Sequence, residues 1–371
     1  MKKTFLIFLL SLLFLVSFNS IFMGAESTNR VQLAILLDTS GSMEGLIEQA
    51  KTQLWKIVNE LSRASKRGES INLEVALFEY GKDSIPEDEG YLRMILPFTT
   101  DLDKISDELF KLRTNGGDEY CGEVIRSAIK NLNWSRDDEN LKIVFIAGNE
   151  PFTQGEINYK TWCKKAASKG IIVNTIFCGN YQEGISTKWK DGADLADGRY
   201  MTIDHNQQIV HINAPQDRII IELGIKLNST YIGYGIRGKA KKEIQEEQDA
   251  NALAIASPVM VERSVAKSSG QYRNSSWDLV DAENEGAVKI EDLSENELPE
   301  EMKEMTLEER KKYLSEKAKE RESIQKEINE LNEARRIYVA EKTLEMGDNT
   351  LDAVMIKAIR EQAESKNFKF D

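Results

Sequence analysis

Histidine and cysteine are scarce in this chain of 371 residues, which has two of the first and three of the second. The histidines, His205 and His211, lie six residues apart without a His-Glu-x-x-His motif, so they are predicted loop residues rather than zinc ligands. In an oxidising compartment three cysteines allow one disulfide and leave one thiol unpaired. Cys163 with Cys178 is the favoured pair, and three separate buried thiols, with Cys121, remain the alternative.

Positive charge and long apolar runs are also limited. Acidic residues outnumber basic ones by 62 to 49, and the resulting net charge of −13 disfavours a nucleic-acid surface. One apolar run, at 5–16, follows two lysines and gives way to small residues by Ala25, which predicts a signal peptide at 1–25 rather than a retained anchor. No later run is long enough to span a membrane, which takes about 20 apolar residues. We therefore expect an exported protein, periplasmic or secreted.

The most informative stretch is an apolar run at 33–37 that leads directly into Asp38-Thr-Ser40-Gly-Ser42. A short continuous apolar run predicts a strand buried on both faces, as in a parallel sheet. Helical spacing of apolar residues over 43–65 predicts a helix immediately afterwards. The motif therefore lies at the carboxyl end of a strand, where open α/β sheets bind their ligands.

The three polar side chains of this motif suit a hard divalent cation. Asp38 offers a carboxylate, and Ser40 and Ser42 offer neutral hydroxyl oxygens. Mg²⁺ prefers near-octahedral oxygen ligands and keeps several waters, so three oxygens from one loop would form half of its shell. The alternative is that Asp38 and Ser40 only cap the following helix.

Apolar and helical segments alternate along the next part of the chain. Strands are predicted at 71–80, 91–98, 141–147, 171–178 and 199–203, and helices at 101–112, 121–132, 158–168, 187–196 and 214–227. Strands that alternate with helices predict right-handed crossovers and a sheet covered on both faces. The expected fold class is α/β, a doubly wound and mostly parallel sheet, followed by a mainly helical extension.

The motif at 38–42 resembles the metal-ion-dependent adhesion site of von Willebrand factor type A domains. The resemblance covers residues 29–228 and implies a doubly wound fold with Mg²⁺, Mn²⁺ or Ca²⁺ at the top of the sheet. It also implies that a carboxylate from a bound partner fills the open position of the ion.

Two further loops of this sequence are compared with the same family. The family usually supplies a threonine oxygen from the loop at 114–119, where Asp118 follows two glycines; Thr114 is a second candidate. Asp118 could instead be an acid favoured near a helix N-terminus. The family also places an aspartate at the end of the strand that here reads Ala-Gly-Asn at 147–149. Glu150 is the candidate substitute for that missing carboxylate.

The chain beyond residue 228 is predicted to be a polar, partly helical linker at 229–300 and a helical region at 301–371. Residues 239–256 are predicted to be helical, whereas 257–299 are polar and show little periodicity. Helices are predicted at 306–345, opened by a Thr-x-x-Glu capping box, and at 349–364. The apolar seam of the long helix is interrupted by Arg321 and Arg335, and a coiled coil or self-association through it is considered.

These observations favour an exported, metal-dependent protein-binding module whose partner offers an acidic residue. One alternative is a structural scaffold with a degenerate metal site. Another is a hydrolase that uses the metal or the thiol of Cys121, whose pKa a helix N-terminus would lower. No nucleophile and base pair is recognisable in the sequence, so we expect a protein that is not an enzyme.

Overall fold

A computed structural model describes residues 29–204, 210–346 and 351–370. The predicted signal peptide at 1–25 and His205 lie outside the described residues. The strands are β1 Arg30–Asp38, β2 Ala64–Lys66, β3 Glu69–Ser70, β4 Asn72–Tyr80, β5 Leu92–Thr99, β6 Leu141–Gly148, β7 Ile171–Cys178, β8 Tyr200–Ile203 and β9 Lys369–Phe370. All six strands predicted from the apolar runs are present, and three very short strands are added to them.

The α-helices are α1 Glu44–Ser62, α2 Leu102–Lys111, α3 Cys121–Asn131, α4 Tyr159–Ala167, α5 Tyr181–Ser186, α6 Trp189–Asp194, α7 Asp217–Asn228, α8 Gly235–Ile255, α9 Ser257–Ser268, α10 Leu279–Asn284, α11 Glu300–Lys303, α12 Leu307–Met346 and α13 Leu351–Glu364. None of the helices in the described ranges is both long and apolar enough to cross a membrane.

The six long strands form one sheet in the order β5-β4-β1-β6-β7-β8. Only β5 runs antiparallel to its neighbour, and the other pairs are parallel. Helices cover both faces, because Leu33 of β1 shares a core with Leu54 of α1, and Leu36 shares another with Val124 of α3. The predicted doubly wound, mostly parallel sheet is therefore confirmed.

The helix that packs against the edge strand β8 comes from the C-terminal end of the chain. The predicted helix at 214–227 forms as α7, but it packs mainly against α9 and α12. The C-terminal helix α13 packs against α1 and against the edge strand β8. The last strand, β9, then pairs with β2, so the end of the chain returns to the sheet domain at two places. Because this closing helix is contributed by distant sequence, no local pattern could reveal it.

The region at 229–300 is more helical and more buried than its polar composition suggests. Helix α9 forms where little periodicity was visible, and it packs against α1, α7, α8 and α12. Its charged residue Arg263 is fully buried and forms ion pairs with Asp103 at 2.8 Å and Asp249 at 2.5 Å. Polar composition therefore does not mean exposure here, because buried partners compensate the charges.

The two arginines that interrupt the seam of α12 are also buried ion-pair residues. Arg321 binds Asp278 at 2.7 Å, and Arg335 binds Asp217 at 2.8 Å. The apolar seam of α12 lies within the same chain, since Ile324 is buried in the main core. The seam thus already has a partner inside the molecule.

The three cysteines are buried and free, so the favoured disulfide is not formed. Cys163 lies in the core on one face of the sheet and Cys178 in the core on the other face. The sheet therefore separates the two thiols, and the alternative of separate buried thiols describes the structure.

Candidate metal-binding site

The first loop of the candidate site follows β1 and holds a buried carboxylate. Asp38 is 0 % exposed, and its Oδ1 accepts a hydrogen bond from the backbone N–H of Ser40 at 2.7 Å. The other oxygen, Oδ2, is buried without a hydrogen-bond partner in the described structure. Burial raises the pKa of Asp38 to about 7. A buried carboxylate with one free oxygen is costly unless something else binds it.

The two serines of the motif differ in exposure, because Ser40 is buried and Ser42 is exposed. The Ser40 hydroxyl is buried, and its Oγ also lacks a hydrogen-bond partner among the described residues. The Ser42 Oγ accepts a hydrogen bond from the Asn149 side-chain amide at 3.1 Å. Helix α1 begins after Met43 without a side-chain cap, so capping by Asp38 or Ser40 does not explain the motif.

The second loop reaches the first through its backbone and presents Glu119. The backbone N–H of Asn115 donates to the carbonyl oxygen of Thr39 at 2.9 Å. Glu119 is only 6 % exposed, and burial together with the negative charge of Asp38 raises its pKa to about 8. The Asp118 side chain is exposed and accepts a hydrogen bond from the Tyr120 hydroxyl at 3.3 Å. The neighbouring candidate Thr114 is half-buried.

The third loop follows β6 and contributes Asn149 and Glu150. The Oδ1 atom of Asn149 is buried and has no hydrogen-bond partner in the part of the chain that is described. Glu150 is half-buried, and its charge contributes to the raised pKa values of both Asp38 and Glu119. Its backbone carbonyl accepts a hydrogen bond from the Trp189 ring at 2.7 Å, which fixes the loop.

Two glycines let the three loops come this close. Gly81 has a left-handed φ of +78°, and a Cβ there would lie 2.8 Å from both Asp38 Oδ1 and Glu119 Cγ. A Cβ on Gly148 would lie 2.9 Å from Asp38 Oδ2 and 2.6 Å from the Tyr80 hydroxyl. Any side chain at position 148 would therefore collide with Asp38 or Tyr80, which explains the glycine at the end of this strand.

The residues present fit a hard divalent cation. Three buried oxygens without hydrogen-bond partners in the described residues lie on the first and third loops, at the carboxyl edge of the sheet: Asp38 Oδ2, Ser40 Oγ and Asn149 Oδ1. Their oxygen-only chemistry suits Mg²⁺, Mn²⁺ or Ca²⁺. No group of three or more His, Cys, Asp or Glu side chains that could hold a metal occurs in the described residues. A metal here would thus rely on hydroxyl or amide oxygens as well as carboxylates.

Two residues of this arrangement, Glu119 and Asn149, were not among the sequence candidates. Each is the direct neighbour of a sequence candidate, Asp118 or Glu150. The sequence therefore identified the correct loops but not which residue of each loop is buried. Burial of a particular side chain in a glycine-rich loop has no sequence signal, because such loops lack a fixed periodicity. The predicted lowering of the Cys121 pKa is wrong, because Cys121 is fully buried and burial raises its pKa well above the usual range.

A comparison with protein-family models identifies the family of the sheet domain. Residues 32–191 match the family model for the von Willebrand factor type A domain. This part of the chain is a von Willebrand factor type A domain. Its matched region spans β1, the three loops of the site and the strands β4 to β7. Such domains are generally protein-interaction modules that commonly bind a divalent metal at this edge of the sheet.

Solved structures similar to this von Willebrand factor type A domain are distant in sequence. The conserved hypothetical protein BatB from Bacteroides thetaiotaomicron is 19 % identical with a TM-score of 0.36, covering 47 % of this chain and 90 % of its own. Proximal thread matrix protein 1 from the mussel byssus, described with a zinc-occupied MIDAS motif, is 12 % identical with a TM-score of 0.37, covering 48 % and 43 %.

The pilus adhesin SpaC from Lactobacillus rhamnosus GG is 15 % identical with a TM-score of 0.34, covering 47 % of this chain and 28 % of its own. This chain thus spans less than half the length of the mussel and pilus proteins. A comparison with curated proteins finds no match.

Proposed function

We propose that this chain is an exported, metal-dependent protein-binding module for adhesion or assembly. Its type A domain holds a divalent ion, Mg²⁺, Mn²⁺ or Ca²⁺, through Asp38, Ser40 and Ser42. The observation that supports this most directly is the pair of buried, unpartnered oxygens, Asp38 Oδ2 and Ser40 Oγ. Asp118, Thr114 and Glu150 remain predicted contributors from the two other loops.

Asp38, Ser40 and Ser42 would hold the ion, and the ion would then offer a coordination position to a carboxylate of the partner protein. The charges at the site decide whether an acidic partner is attracted or not. Without a cation, the acidic side chains of Asp38, Glu119 and Glu150 offer an acidic partner no favourable charge. With a cation, the local charge becomes favourable, so the partner binds only to the metal-loaded domain.

A structural scaffold with a degenerate metal site is the second candidate function. It is favoured by Gly148, which stands where the family usually has an aspartate and has no room for a side chain. The two candidates differ in one measurable property, because the scaffold has no affinity for divalent cations.

The first test is thermal unfolding of the purified protein in EDTA and in millimolar Mg²⁺ or Mn²⁺. A ligand that binds only the native state stabilises it by about 2.7 kcal/mol at a hundredfold excess over its Kd. We expect a metal-dependent rise in Tm that Asp38→Asn abolishes. The exposed Asp194→Asn is the matched control and should keep the rise. Equal Tm values with and without metal in the wild type would favour the scaffold.

Partner binding and export need separate measurements. A carboxylate-bearing protein or acidic peptide should bind in Mg²⁺ or Mn²⁺ and dissociate in EDTA, and Asp38→Asn should not bind it. Export is tested by the mass of the protein made in a secreting host, since cleavage near Ala25 removes the predicted signal peptide. Retention of an uncleaved chain in the cytoplasm would contradict export without affecting the metal site.

A further inference from the structure

The second loop carries two consecutive acids that lie in opposite environments. Asp118 is exposed and contacts the Tyr120 hydroxyl. Glu119 is 6 % exposed, and its backbone N–H is held by the Gln154 side-chain oxygen at 3.0 Å. The Glu119 side chain is therefore buried, and the backbone of the second loop at this residue is held by a contact from the third loop.

The side chains of Glu119 and Asp38 both lie close to Gly81. A Cβ atom on Gly81 would lie 2.8 Å from Glu119 Cγ and 2.8 Å from Asp38 Oδ1, and 3.6 Å from Ser40 Cβ. Three of the polar side chains thus surround a single glycine. The left-handed φ of Gly81, +78°, is a conformation that other residues rarely adopt.

Within the described ranges, no positive charge compensates these two buried carboxylates. Neither Asp38 nor Glu119 forms an ion pair with a lysine, arginine or histidine in the described part of the chain. The nearby charges that act on them are other carboxylates, Glu150 included. Two buried carboxylates at close range repel each other unless a proton or a cation lies between them.

The end of β6 cannot provide a further carboxylate. Gly148 is tightly enclosed, because a Cβ there would lie 3.1 Å from Asp38 Cβ and 2.6 Å from the Tyr80 hydroxyl. The Tyr80 hydroxyl donates a hydrogen bond to the carbonyl oxygen of Ala147 at 2.8 Å and occupies this space. A second carboxylate for a metal must therefore come from a position other than 148.

We infer that Glu119, contributed by the second loop, is the second carboxylate ligand of the metal site. The inference rests on the proposed function, since it assumes that Asp38 and the serines bind a divalent ion. Asp38 and Glu119 together would neutralise the two positive charges of the ion. The identity of this ligand also distinguishes Glu119 from Asp118, which precedes it by one residue.

Direct Mn²⁺ binding by isothermal titration calorimetry tests the assignment. We compare the wild type with Glu119→Gln, which keeps the shape of the side chain and removes its charge. Loss of a ligand should weaken Mn²⁺ binding about tenfold or more. The same substitution at an exposed glutamate of the third loop, Glu156→Gln, should leave the affinity close to that of the wild type. Asp118→Asn should weaken binding less than Glu119→Gln does.

Thermal unfolding separates a metal ligand from a merely structural residue. In EDTA, Glu119→Gln should not lower the Tm, because it replaces a buried carboxyl beside Asp38 with a neutral amide of the same shape. In Mn²⁺, the increase in Tm caused by the metal should be smaller in Glu119→Gln than in the wild type. A structural role alone would lower the Tm equally in both conditions.

The outcomes distinguish the inference from the function on which it rests. If the wild type binds Mn²⁺ and Glu119→Gln binds it equally well, the assignment of Glu119 is wrong and the metal site stands. If Asp118→Asn loses binding while Glu119→Gln keeps it, the ligand is Asp118. If the wild type binds no divalent cation, both the metal-dependent function and the assignment are wrong.

Discussion

Asn174 in β7 and Gln362 in α13 exchange two hydrogen bonds through their side-chain amides. The Asn174 Nδ2 donates to Gln362 Oε1 at 3.0 Å, and the Gln362 Nε2 donates to Asn174 Oδ1 at 2.7 Å. Both side chains are buried although they are 188 residues apart in sequence. This reciprocal pair fixes the C-terminal helix on the sheet, because without it the Gln362 amide and the Asn174 Nδ2 would be buried without a partner, although Asn174 Oδ1 also accepts from the Arg199 N–H at 2.8 Å.

We predict that Asn174→Ala and Gln362→Ala each lower the free energy of unfolding by about 1–3 kcal/mol, since each leaves a buried amide unpaired. The double variant should cost less than the sum of the two, as expected for contacting residues. Urea unfolding measures all three. Glu364→Gln, an exposed position on the same helix, should be nearly neutral. Strictly additive losses would mean that the two amides do not interact in solution.

A second prediction concerns Arg321, which joins α12 to the chain at 230–281. Its guanidinium binds Asp278 at 2.7 Å, donates to the Thr230 carbonyl at 2.6 Å and lies 4.0 Å from the centre of the Tyr231 ring. Arg321→Met leaves Asp278 buried without its cation and should cost about 3–5 kcal/mol. Arg336→Met removes an i,i+3 pair at the surface and should cost less than about 1 kcal/mol.

Chemical denaturation of the two arginine variants gives these values, and hydrogen exchange shows where the structure opens. Faster exchange in α12 and α10 is expected for Arg321→Met alone. Equal stability losses in both variants would show that burial of the ion pair has no particular importance.

A third prediction uses the tight enclosure of Gly148. Gly148→Ala forces a Cβ to within 2.6 Å of the Tyr80 hydroxyl, so we expect a loss of about 1–3 kcal/mol, as in other overpacked cores. Gly270→Ala is the matched control, because a Cβ there meets nothing within 4 Å. Combining Gly148→Ala with Tyr80→Phe should recover part of the loss. Failure of this rescue in thermal unfolding would mean that the collision lies elsewhere.

A fourth prediction concerns acid stability and Asp249. Burial opposes ionisation of this carboxyl. The positive charges of Lys267 at 2.7 Å and Arg263 at 2.5 Å favour its ionised form, and the resulting pKa lies below the usual value. A lowered pKa contributes stability that is present above the unfolded-state pKa of about 3.9 and is lost as the pH falls through the folded-state pKa. The stability of the wild type should therefore fall below about pH 4.

Asp249→Asn tests this assignment by comparing unfolding free energies over a pH series. The difference between the wild type and Asp249→Asn should be constant near neutral pH and shrink as the pH falls below about 4. The exposed Asp194→Asn should show no such convergence. A difference that is independent of pH would mean that ionisation of Asp249 does not contribute.

Part of the candidate metal site could be predicted from the sequence, and part could not. The strand before Asp38 and the helix after it follow from apolar periodicity, so the position of the motif at the carboxyl edge of the sheet was predictable. The loop at 114–119 was also identified, yet the pattern pointed to Asp118 and the structure buries Glu119. Glycine-rich loops have no repeating side-chain direction, and the contacts that bury one of two adjacent acids come from the other loops.

The sequence by itself determined the α/β fold, the six long strands and the edge of the sheet where the polar motif lies. These features depend on local periodicity, which each segment carries independently of the others. Only the tertiary structure decided that α13 closes the sheet and that the polar region containing α9 is buried. Both depend on compensation between distant residues, such as Gln362 with Asn174 and Arg263 with Asp103, and such pairs leave no trace in local periodicity.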